Sequence, residues 1–268
     1  MACVNLTSLP ARALDKQGAA HKGAQAEQEL GVSGSVFLAV LPFNPSYAAR
    51  PDNSGLAFLR AGGHLDIDLL GQRLFIPIDV NSFTDRSRPL VPSELDLIAG
   101  IASTWPLGPG KMEVGVRAEH DRSVDRAGMS QNYGDVRARY LLSARDLWPK
   151  LGAALRDGDV SGWLTAGWFF YNPSYFARPD NTGRALLRYV SHAAVSAWQR
   201  RASLVVDANF FTDRDANPVA PSELDLTLEI VLAWQAWELH LGYERDMPID
   251  RGGLVQHTAM ILAAWSFE

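Results

Sequence analysis

This chain has very little of several things that mark common protein classes. Its 268 residues include one cysteine, Cys3, so no internal disulfide can form. No run of about 18 uninterrupted apolar residues occurs, which excludes a transmembrane helix. The net charge is −5 and no basic block or stripe appears, so nucleic acid is not an expected partner. The chain also lacks the G-x-S-x-G, H-E-x-x-H and phosphate-loop motifs of several enzyme classes.

The first 32 residues also lack the apolar segment of a signal peptide. Either the chain is cytosolic, or a signal was removed or is missing from this sequence. We expect residues 1–32 to form a flexible segment. Cys3 is then an ordinary unpaired thiol, with a processed lipoprotein cysteine as the alternative.

What the chain does have is internal similarity. Residues 44–60, NPSYAARPDNSGLAFLR, match residues 172–188, NPSYFARPDNTGRALLR, at 13 of 17 positions. Two shorter matches follow: NSFTDR (81–86) with NFFTDR (209–214), and PSELDL (92–97) with PSELDL (221–226). Self-similarity of this kind predicts a tandem duplication of one structural unit.

Alternation of apolar and polar residues is the main local signal. In residues 222–232, leucines and an isoleucine alternate with Glu223, Asp225 and Glu229, which is the period of a β-strand. Six strands are predicted in each half: 33–43, 56–70, 72–83, 93–105, 111–120 and 131–143, then 160–171, 184–198, 201–212, 222–234, 237–245 and 254–267. Most are longer than the roughly five or six residues usual in soluble sheets.

The predicted connections alternate in length. Short turns are expected near residues 70–72, 198–200 and 234–237, whereas longer loops are expected at 44–55, 84–92 and 121–130 and their second-half equivalents. An up-and-down arrangement would place all long loops at one end. The segment 144–159 would join the halves, with a short helix expected there.

Tryptophan position helps to decide which face of the strands points outward. Five tryptophans are expected at strand ends on the short-turn side: Trp105, Trp198, Trp234, Trp237 and Trp265. Trp148 and Trp163 flank the linker at the same end. The opposite rim carries Tyr47, Phe83, Tyr133, Tyr175, Phe211 and Tyr243. Tryptophans gathered at one level are typical of an interfacial girdle, which favours apolar residues outward and charges inward.

Strand number, one-sided loops and this girdle together resemble the outer-membrane β-barrels of Gram-negative bacteria. The resemblance implies an all-β fold: a 12-stranded antiparallel up-and-down transmembrane barrel at residues 33–268, built from repeat one (33–143), linker (144–159) and repeat two (160–268). It implies a lipid bilayer and small polar solutes as partners and a passive porin-like function. No cofactor or enzymatic activity is expected.

With charges inward, the lumen and selectivity candidates follow from the alternation. In the first half they are Arg60, His64, Asp66, Asp68, Asp79, Glu94, Asp96, Glu113, Arg117, Glu119, Arg137 and Arg139. In the second half they are Arg188, His192, Asp207, Glu223, Asp225, Glu229, Glu238, His240 and Glu244. These residues either brace the wall as a structural charge network or select solutes by charge and width.

The repeated loop motifs supply a second set of candidates at the rim: Arg50, Asp52, Asn53, Asp85, Arg86, Arg178, Asp180, Asn181, Asp213 and Arg214. Asp–Arg pairs could fold the loops over the mouth, or the loops could hold a ligand twice. Asp52 and Asp180 offer the oxygen ligands that Ca²⁺ prefers, but their spacing matches no established calcium loop. No other metal site is expected.

Three alternatives to a channel remain at this stage. The first is a soluble protein of two six-stranded ligand-binding domains. The second is a non-conducting surface or scaffold barrel. The third is a membrane hydrolase that uses Ser93, Ser222 or His120, although none of these residues lies in a nucleophile motif.

Overall fold

The computed structural model describes residues 30–70, 74–143, 158–199 and 201–268. These residues form 12 β-strands. The first six are β1 (Gly31–Phe43), β2 (Ala57–Leu69), β3 (Leu74–Asp85), β4 (Arg88–Leu107), β5 (Gly110–Ser123) and β6 (Ser130–Ser143). The second six are β7 (Asp159–Tyr171), β8 (Ala185–Ala197), β9 (Ala202–Asp213), β10 (Asn217–Trp234), β11 (Trp237–Pro248) and β12 (Gln256–Phe267).

The strands close into one antiparallel barrel in which each strand pairs with its neighbours in the chain. Closure comes from β1 and β12, whose register runs from Gly34 opposite Phe267 to Val40 opposite Ile261. The two halves join through β6 and β7, where Ala138 lies opposite Ala166. The predicted all-β, 12-stranded barrel is therefore confirmed, and the alternative of two separate six-stranded domains is wrong.

Side chains alternate between the two faces of the barrel as the sequence predicts. Along β10, Asp225 and Glu229 are buried while Leu228 is 50% exposed. Along β1, Ala39 is buried while Leu38 is 53% exposed. The outer face is thus apolar and solvent-accessible, and most buried side chains of the strands point into the barrel. Among the described residues no helix is long and apolar enough to cross a membrane.

The predicted long loop at residues 84–92 is wrong, and so is its second-half equivalent. Strand β3 runs to Asp85, which pairs with Arg88 at the start of β4. In the second half, Asp213 pairs with Asn217. Prolines suggested a loop here, but both strands have register shifts at these places. A bulge tolerates proline because the missing N–H breaks no regular ladder bond.

The positions of exposed aromatic residues agree with the predicted girdle at the short-turn end only. Trp105, Trp198, Trp234, Trp237 and Trp265 are between 39% and 70% exposed, whereas Trp163 is buried. The rim proposed for the opposite end is wrong for five of its six residues: Tyr47, Phe83, Tyr133, Tyr175 and Phe211 are buried. Tyr243 is exposed, and the other exposed aromatic side chains nearer the loops are Phe43, Trp168, Phe170, Tyr171 and Tyr189.

Several sequence predictions fall outside the described residues. They concern the flexible N-terminal segment with Cys3, the helix within the linker, Trp148, and residues 71 and 72 of the turn predicted at 70–72. Within the described part, strand β7 begins at Asp159.

Barrel closure predicts that neither half folds alone. Fragments 30–143 and 158–268 would each leave two unpaired edge strands, which a monomer cannot satisfy in a membrane. We expect the full chain to show a heat-dependent mobility shift in gel electrophoresis, and each fragment to show none unless it dimerises or meets the other fragment. A compact, protease-resistant monomer of either fragment would contradict this expectation.

Candidate functional site

Two equivalent loops fold into the barrel at the same end, which we call the mouth. They are residues 44–56, between β1 and β2, and residues 172–184, between β7 and β8. Each inserts a tyrosine, and Tyr47 and Tyr175 are at most 3% exposed. Tyr175 packs with Tyr133, Phe169 and Phe211, with ring centroids 4.6 to 6.0 Å away. The five buried aromatic residues named above therefore anchor loops or line the interior of the mouth.

An asparagine fixes the path of each loop. Asn44 Nδ2 donates to the carbonyl oxygens of Tyr47 (2.9 Å) and Ala57 (2.7 Å). Asn172 donates in the same way to Tyr175 (2.9 Å) and Ala185 (2.7 Å). A buried amide that pairs with both ends of a turn replaces the strand ladder that the loop has left.

A buried arginine clamps the first loop to two strands. Arg50 is 4% exposed. Its Nη1 donates to Asp85 at the end of β3 (2.7 Å), and its Nε donates to Asp125 after β5 (2.9 Å). Its Nη2 also donates to Asp125, so the fork is bidentate. Such charge-assisted pairs are among the stronger hydrogen bonds because the planar guanidinium matches the carboxylate.

The second loop has the same clamp. Arg178 is fully buried and donates to Asp213 and, through two nitrogens, to Asp250. The arginine partner holds the pKa of Asp125 and Asp250 below the ordinary carboxyl value. These ion pairs therefore stabilise the folded loop at pH values above the ordinary carboxyl pKa of about 4. The stabilisation is lost as the pH falls below that value and the carboxylates are protonated.

The two loops also bind each other across the mouth. Asn53 Nδ2 donates to the carbonyl of Pro179 (2.7 Å), and Asn181 Nδ2 donates to the carbonyl of Pro51 (3.0 Å). Both asparagines have left-handed backbone angles, with φ of 57° and 59°. Asparagine tolerates this conformation better than most residues do. The loops thus form a reciprocal bridge over the barrel opening.

Glutamines of the wall support the same bridge from below. Gln131 Nε2 donates to the carbonyl of Pro51, and Gln256 Nε2 donates to the carbonyl of Pro179, both at 3.2 Å. The first glutamine lies on β6 and the second on β12, and both are at most 1% exposed. Each proline carbonyl therefore receives one bond from the wall and one from the other loop.

The remaining rim candidates also hold the loops in place. Arg86 and Arg214 donate to the carbonyls of Leu41 (3.4 Å) and Phe169 (2.5 Å). Asp52 and Asp180 accept hydrogen bonds from Ser54 and Thr182 within their own turns. In the part of the chain that the structure describes, no group of three or more His, Cys, Asp or Glu side chains is arranged to hold a metal ion.

The serines considered for hydrolysis serve the loops instead. Ser93 Oγ lies 3.0 Å from the carbonyl oxygen of Ala49, and Ser222 Oγ lies 3.2 Å from that of Ala177. His120 Nδ1 lies 2.6 Å from Asn132 Oδ1. His120 alternates with the buried Glu119 and Asp121, so it faces outward, away from the inward loops that Ser93 contacts. These contacts account for the serines without catalysis.

The predicted lumen residues lie on the inner face of their strands. Twelve of those proposed as selectivity candidates are buried: Arg60, Glu94, Asp96, Glu113, Arg117, Arg137, Arg139, Arg188, Glu223, Asp225, Glu229 and His240. The others are partly exposed: His64, Asp66, Asp79, His192, Asp207 and Glu238. Asp68 is also partly exposed, and Glu119 and Glu244 are buried.

Exposure of the inner side chains rises with distance from the mouth. Close to it, Glu94 and Asp121 are 1% exposed. Towards the short turns, the side chains of Asp66 and Asp207 are 31% and 24% exposed. Inner side chains are therefore almost fully buried beneath the loops, and only some of those towards the short turns are partly exposed, since Glu113 and His240 are at most 8% exposed.

Many inner charges are paired. Arg117 Nε lies 3.0 Å from both oxygens of Asp135, and Arg139 lies 3.8 Å from Glu113. His240 lies between Glu229 (2.9 Å) and Glu238 (3.3 Å). Pairing of this kind lowers the cost of keeping charges inside the barrel.

Sequence analysis missed several residues that complete the site. Asp125 and Asp250 hold the clamps, and Gln131 and Gln256 support the loop bridge. Asp125 and Asp250 each precede an arginine at matching places in the two halves, so the repeat itself carried the signal. The glutamines gave none, because the prediction of inward residues considered mainly charged side chains.

Comparisons with known proteins found outer-membrane proteins among the solved structures that are similar to this barrel. No family model matches the chain, and no curated protein matches it. An outer membrane channel from Pseudomonas putida F1 is 12% identical with a TM-score of 0.44, covering 92% of this chain and 100% of that one. An anion-selective porin from Comamonas acidovorans is 10% identical with a TM-score of 0.40, covering 90% of this chain and 100% of that one. The outer membrane protein Omp33 of Acinetobacter baumannii is 8% identical with a TM-score of 0.41, covering 90% and 98%.

Replacing the arginine of one clamp should make the loop that it holds more flexible. In Arg178→Met, Asp213 and Asp250 lose their counter-charge, and such a loss at a buried pair costs about 3–5 kcal/mol. We expect amide hydrogen exchange in residues 178–184 to accelerate by at least about tenfold, while exchange in residues 50–56 changes less.

The matched control is Arg184→Met in the same loop. Arg184 pairs with Asp215, but both side chains are more than 40% exposed. An exposed pair contributes less than about 1 kcal/mol, so exchange should change little. Equal acceleration in the two variants would show that the buried clamp has no special role.

Proposed function

We propose that this protein is an outer-membrane β-barrel that acts as a passive, porin-like channel for small polar or charged solutes. The observation that carries the proposal is the division of residues in a closed barrel: apolar side chains cover the outer face, and most charged side chains of the strands lie on the inner face. A soluble barrel would be expected to show the opposite arrangement.

The outer surface supports a location in lipid. Aliphatic residues at mid-strand positions are 43% to 60% exposed, among them Ile101, Val116, Leu164 and Ile230. A soluble protein rarely leaves such a continuous apolar surface in water. The strands have 12 to 20 residues, enough to cross a bilayer at a tilt. The exposed tryptophans at the short-turn end would then lie at one membrane interface.

The interior supports passage of polar solutes rather than storage of an apolar ligand. The proposed selectivity residues of both signs lie on the inner face, and some of those nearest the short turns are partly exposed. A water-filled passage lined by paired charges would select solutes through its width and its electrostatic field. The loops that close the mouth would then act as its gate.

A second candidate function follows from the same loops. The mouth is closed by two clamps and by the loop bridge, and the inner residues beneath it are almost fully buried. These observations favour a non-conducting surface or scaffold barrel if the loops never open. No catalytic role is proposed.

The membrane location can be tested with one outward residue. Leu228 lies at mid-strand on the outer face of β10, and arginine at the centre of a bilayer costs a barrel about 2–4 kcal/mol. We expect Leu228→Arg to unfold in liposomes at a clearly lower urea concentration than the unaltered protein. Val219→Arg, at the exposed loop-end extension of the same strand, should have little effect. Equal sensitivity of the two variants would contradict a membrane-spanning β10.

Channel function can be tested by removing the loop bridge. The double variant Asn53→Ala, Asn181→Ala loses both hydrogen bonds between the loops, which contribute about 1 kcal/mol each. We expect a larger open fraction of single-channel current in planar bilayers than for the unaltered protein. Asn217→Ala, at the exposed first residue of β10, is the control.

The two candidate functions give different currents in this experiment. Current from the double variant supports a channel whose gate is the loop bridge. Absence of current from both proteins, although both show the heat-dependent mobility shift, would reject the channel in favour of the non-conducting barrel.

A further inference from the structure

Strands β6 and β12 occupy equivalent places in the two halves; they agree at the mouth and differ below it. Gln131 and Gln256 are equivalent, because each donates to the proline carbonyl of an equivalent loop. The inward positions six residues further along β6 and β12 are Arg137 and Leu262. The next inward positions are Arg139 and Ala264. At this depth, which we call the waist, equivalent positions carry opposite chemistry.

These positions face each other across the barrel. In the closed order of 12 strands, β6 and β12 are separated by five strands on either side. Equivalent residues on the two strands also lie at similar depth, because the same contacts with the mouth loops fix both strands. Arg137 and Leu262 therefore lie on opposite walls of the waist.

One wall of the waist carries an excess of positive charge. Arg137 is 8% exposed and lies near the carboxylates of Asp135 and Glu113, which pair with Arg117 and Arg139. With Arg117, Arg139 and Arg188 it lines a small cavity of about 10 Å³, room for roughly one water molecule. Arg117, Arg137, Arg139 and Arg188 outnumber the carboxylates of Asp135 and Glu113, and an anion would offset this excess of positive charge.

The opposite wall carries an apolar cluster, and the guanidinium carbon of Arg60 on β2 lies 5.4 Å from the ring centroid of Phe37 at its edge. Phe37 and Ala39 of β1 form one buried cluster with Met260, Leu262 and Ala264 of β12, and each is at most 8% exposed. Their counterparts in the other half include Thr165 and Gly167 on β7, so the cluster does not recur there. Inside a barrel with so many charges, a strip of this kind lowers the cost of desolvating an apolar group.

We propose that the waist is a binding and selectivity site for small organic anions with an apolar body. The sulfonate or carboxylate of such a solute pairs with Arg137, and its apolar body lies against Met260, Leu262 and Phe37. The long arginine side chains swing aside to admit it, since the cavity itself holds only about one water. This inference rests on the proposed channel function and names its solute class.

The test uses three permanently charged probes and the full chain in phosphatidylcholine nanodiscs. Benzenesulfonate has both features, methanesulfonate lacks the apolar body, and phenyltrimethylammonium carries the opposite charge. Binding is measured by saturation-transfer NMR, with empty nanodiscs as the background. We expect benzenesulfonate to bind at least about tenfold more tightly than either of the other probes. Methanesulfonate cannot bury an aromatic group, and phenyltrimethylammonium cannot accept a charge-assisted hydrogen bond.

Two variants separate the two walls. Arg137→Met should weaken benzenesulfonate binding by about tenfold. Leu262→Asn should weaken benzenesulfonate binding and leave methanesulfonate unchanged. Arg88→Leu, which removes an exposed arginine from β4, should change neither. The heat-dependent mobility shift shows whether each variant is folded. If Arg137→Met does not fold, the effect of Leu262→Asn on benzenesulfonate binding still tests the inference.

The outcomes distinguish this inference from the channel proposal. Equal binding of benzenesulfonate and methanesulfonate, or equal losses in Arg137→Met and Arg88→Leu, would overturn the inference. Benzenesulfonate binding with the expected pattern, in a barrel that passes no current, would reject the channel and support the binding site. A conducting barrel that does not discriminate among the three probes would reject the site alone.

Discussion

The pairing of β1 with β12 is the constraint on which the rest of this structure depends. It closes the ladder, so that each of the 12 strands has two neighbours and no sheet edge remains. Closure allows an apolar outer face, because a barrel in lipid must satisfy its backbone polar groups internally. It also creates an enclosed interior in which charges can pair. The mouth and the waist both depend on that enclosure.

The loops at the mouth need hydrogen-bond partners outside the strand ladder. Loops that fold inward leave the ladder and must satisfy their polar groups elsewhere. Here the asparagines at the loop starts, the clamps of Arg50 and Arg178, and the glutamines of β6 and β12 supply those bonds. These bonds link each loop to several strands of the wall and to the segments that follow them. In the proposed channel, the loops would open by breaking a few defined bonds.

The two halves have similar sequences at the mouth and different residues at the waist, and this difference has a physical explanation. The motifs that match build the clamps and the bridge, where two equal loops must meet about one axis. The waist has no such requirement, and there Arg137 and Leu262 oppose each other. A barrel with two equal walls would offer a solute one chemistry, whereas unequal walls can hold the two ends of an amphiphilic solute differently.

Alternation and repetition in the sequence by themselves determined the 12 strands, the inward charges and the presence of two like loops. The strands are strongly periodic, and periodicity is a local property that needs no knowledge of the partner strand. The sequence misplaced the hairpin after Asp85, because a bulge that accepts proline depends on the neighbouring strand. It also placed Tyr47 and Tyr175 on the rim, although both point inward. Only the tertiary structure decided which acids meet Arg50 and Arg178 and which wall faces Arg137, because those contacts join residues far apart in the chain through closure of the barrel.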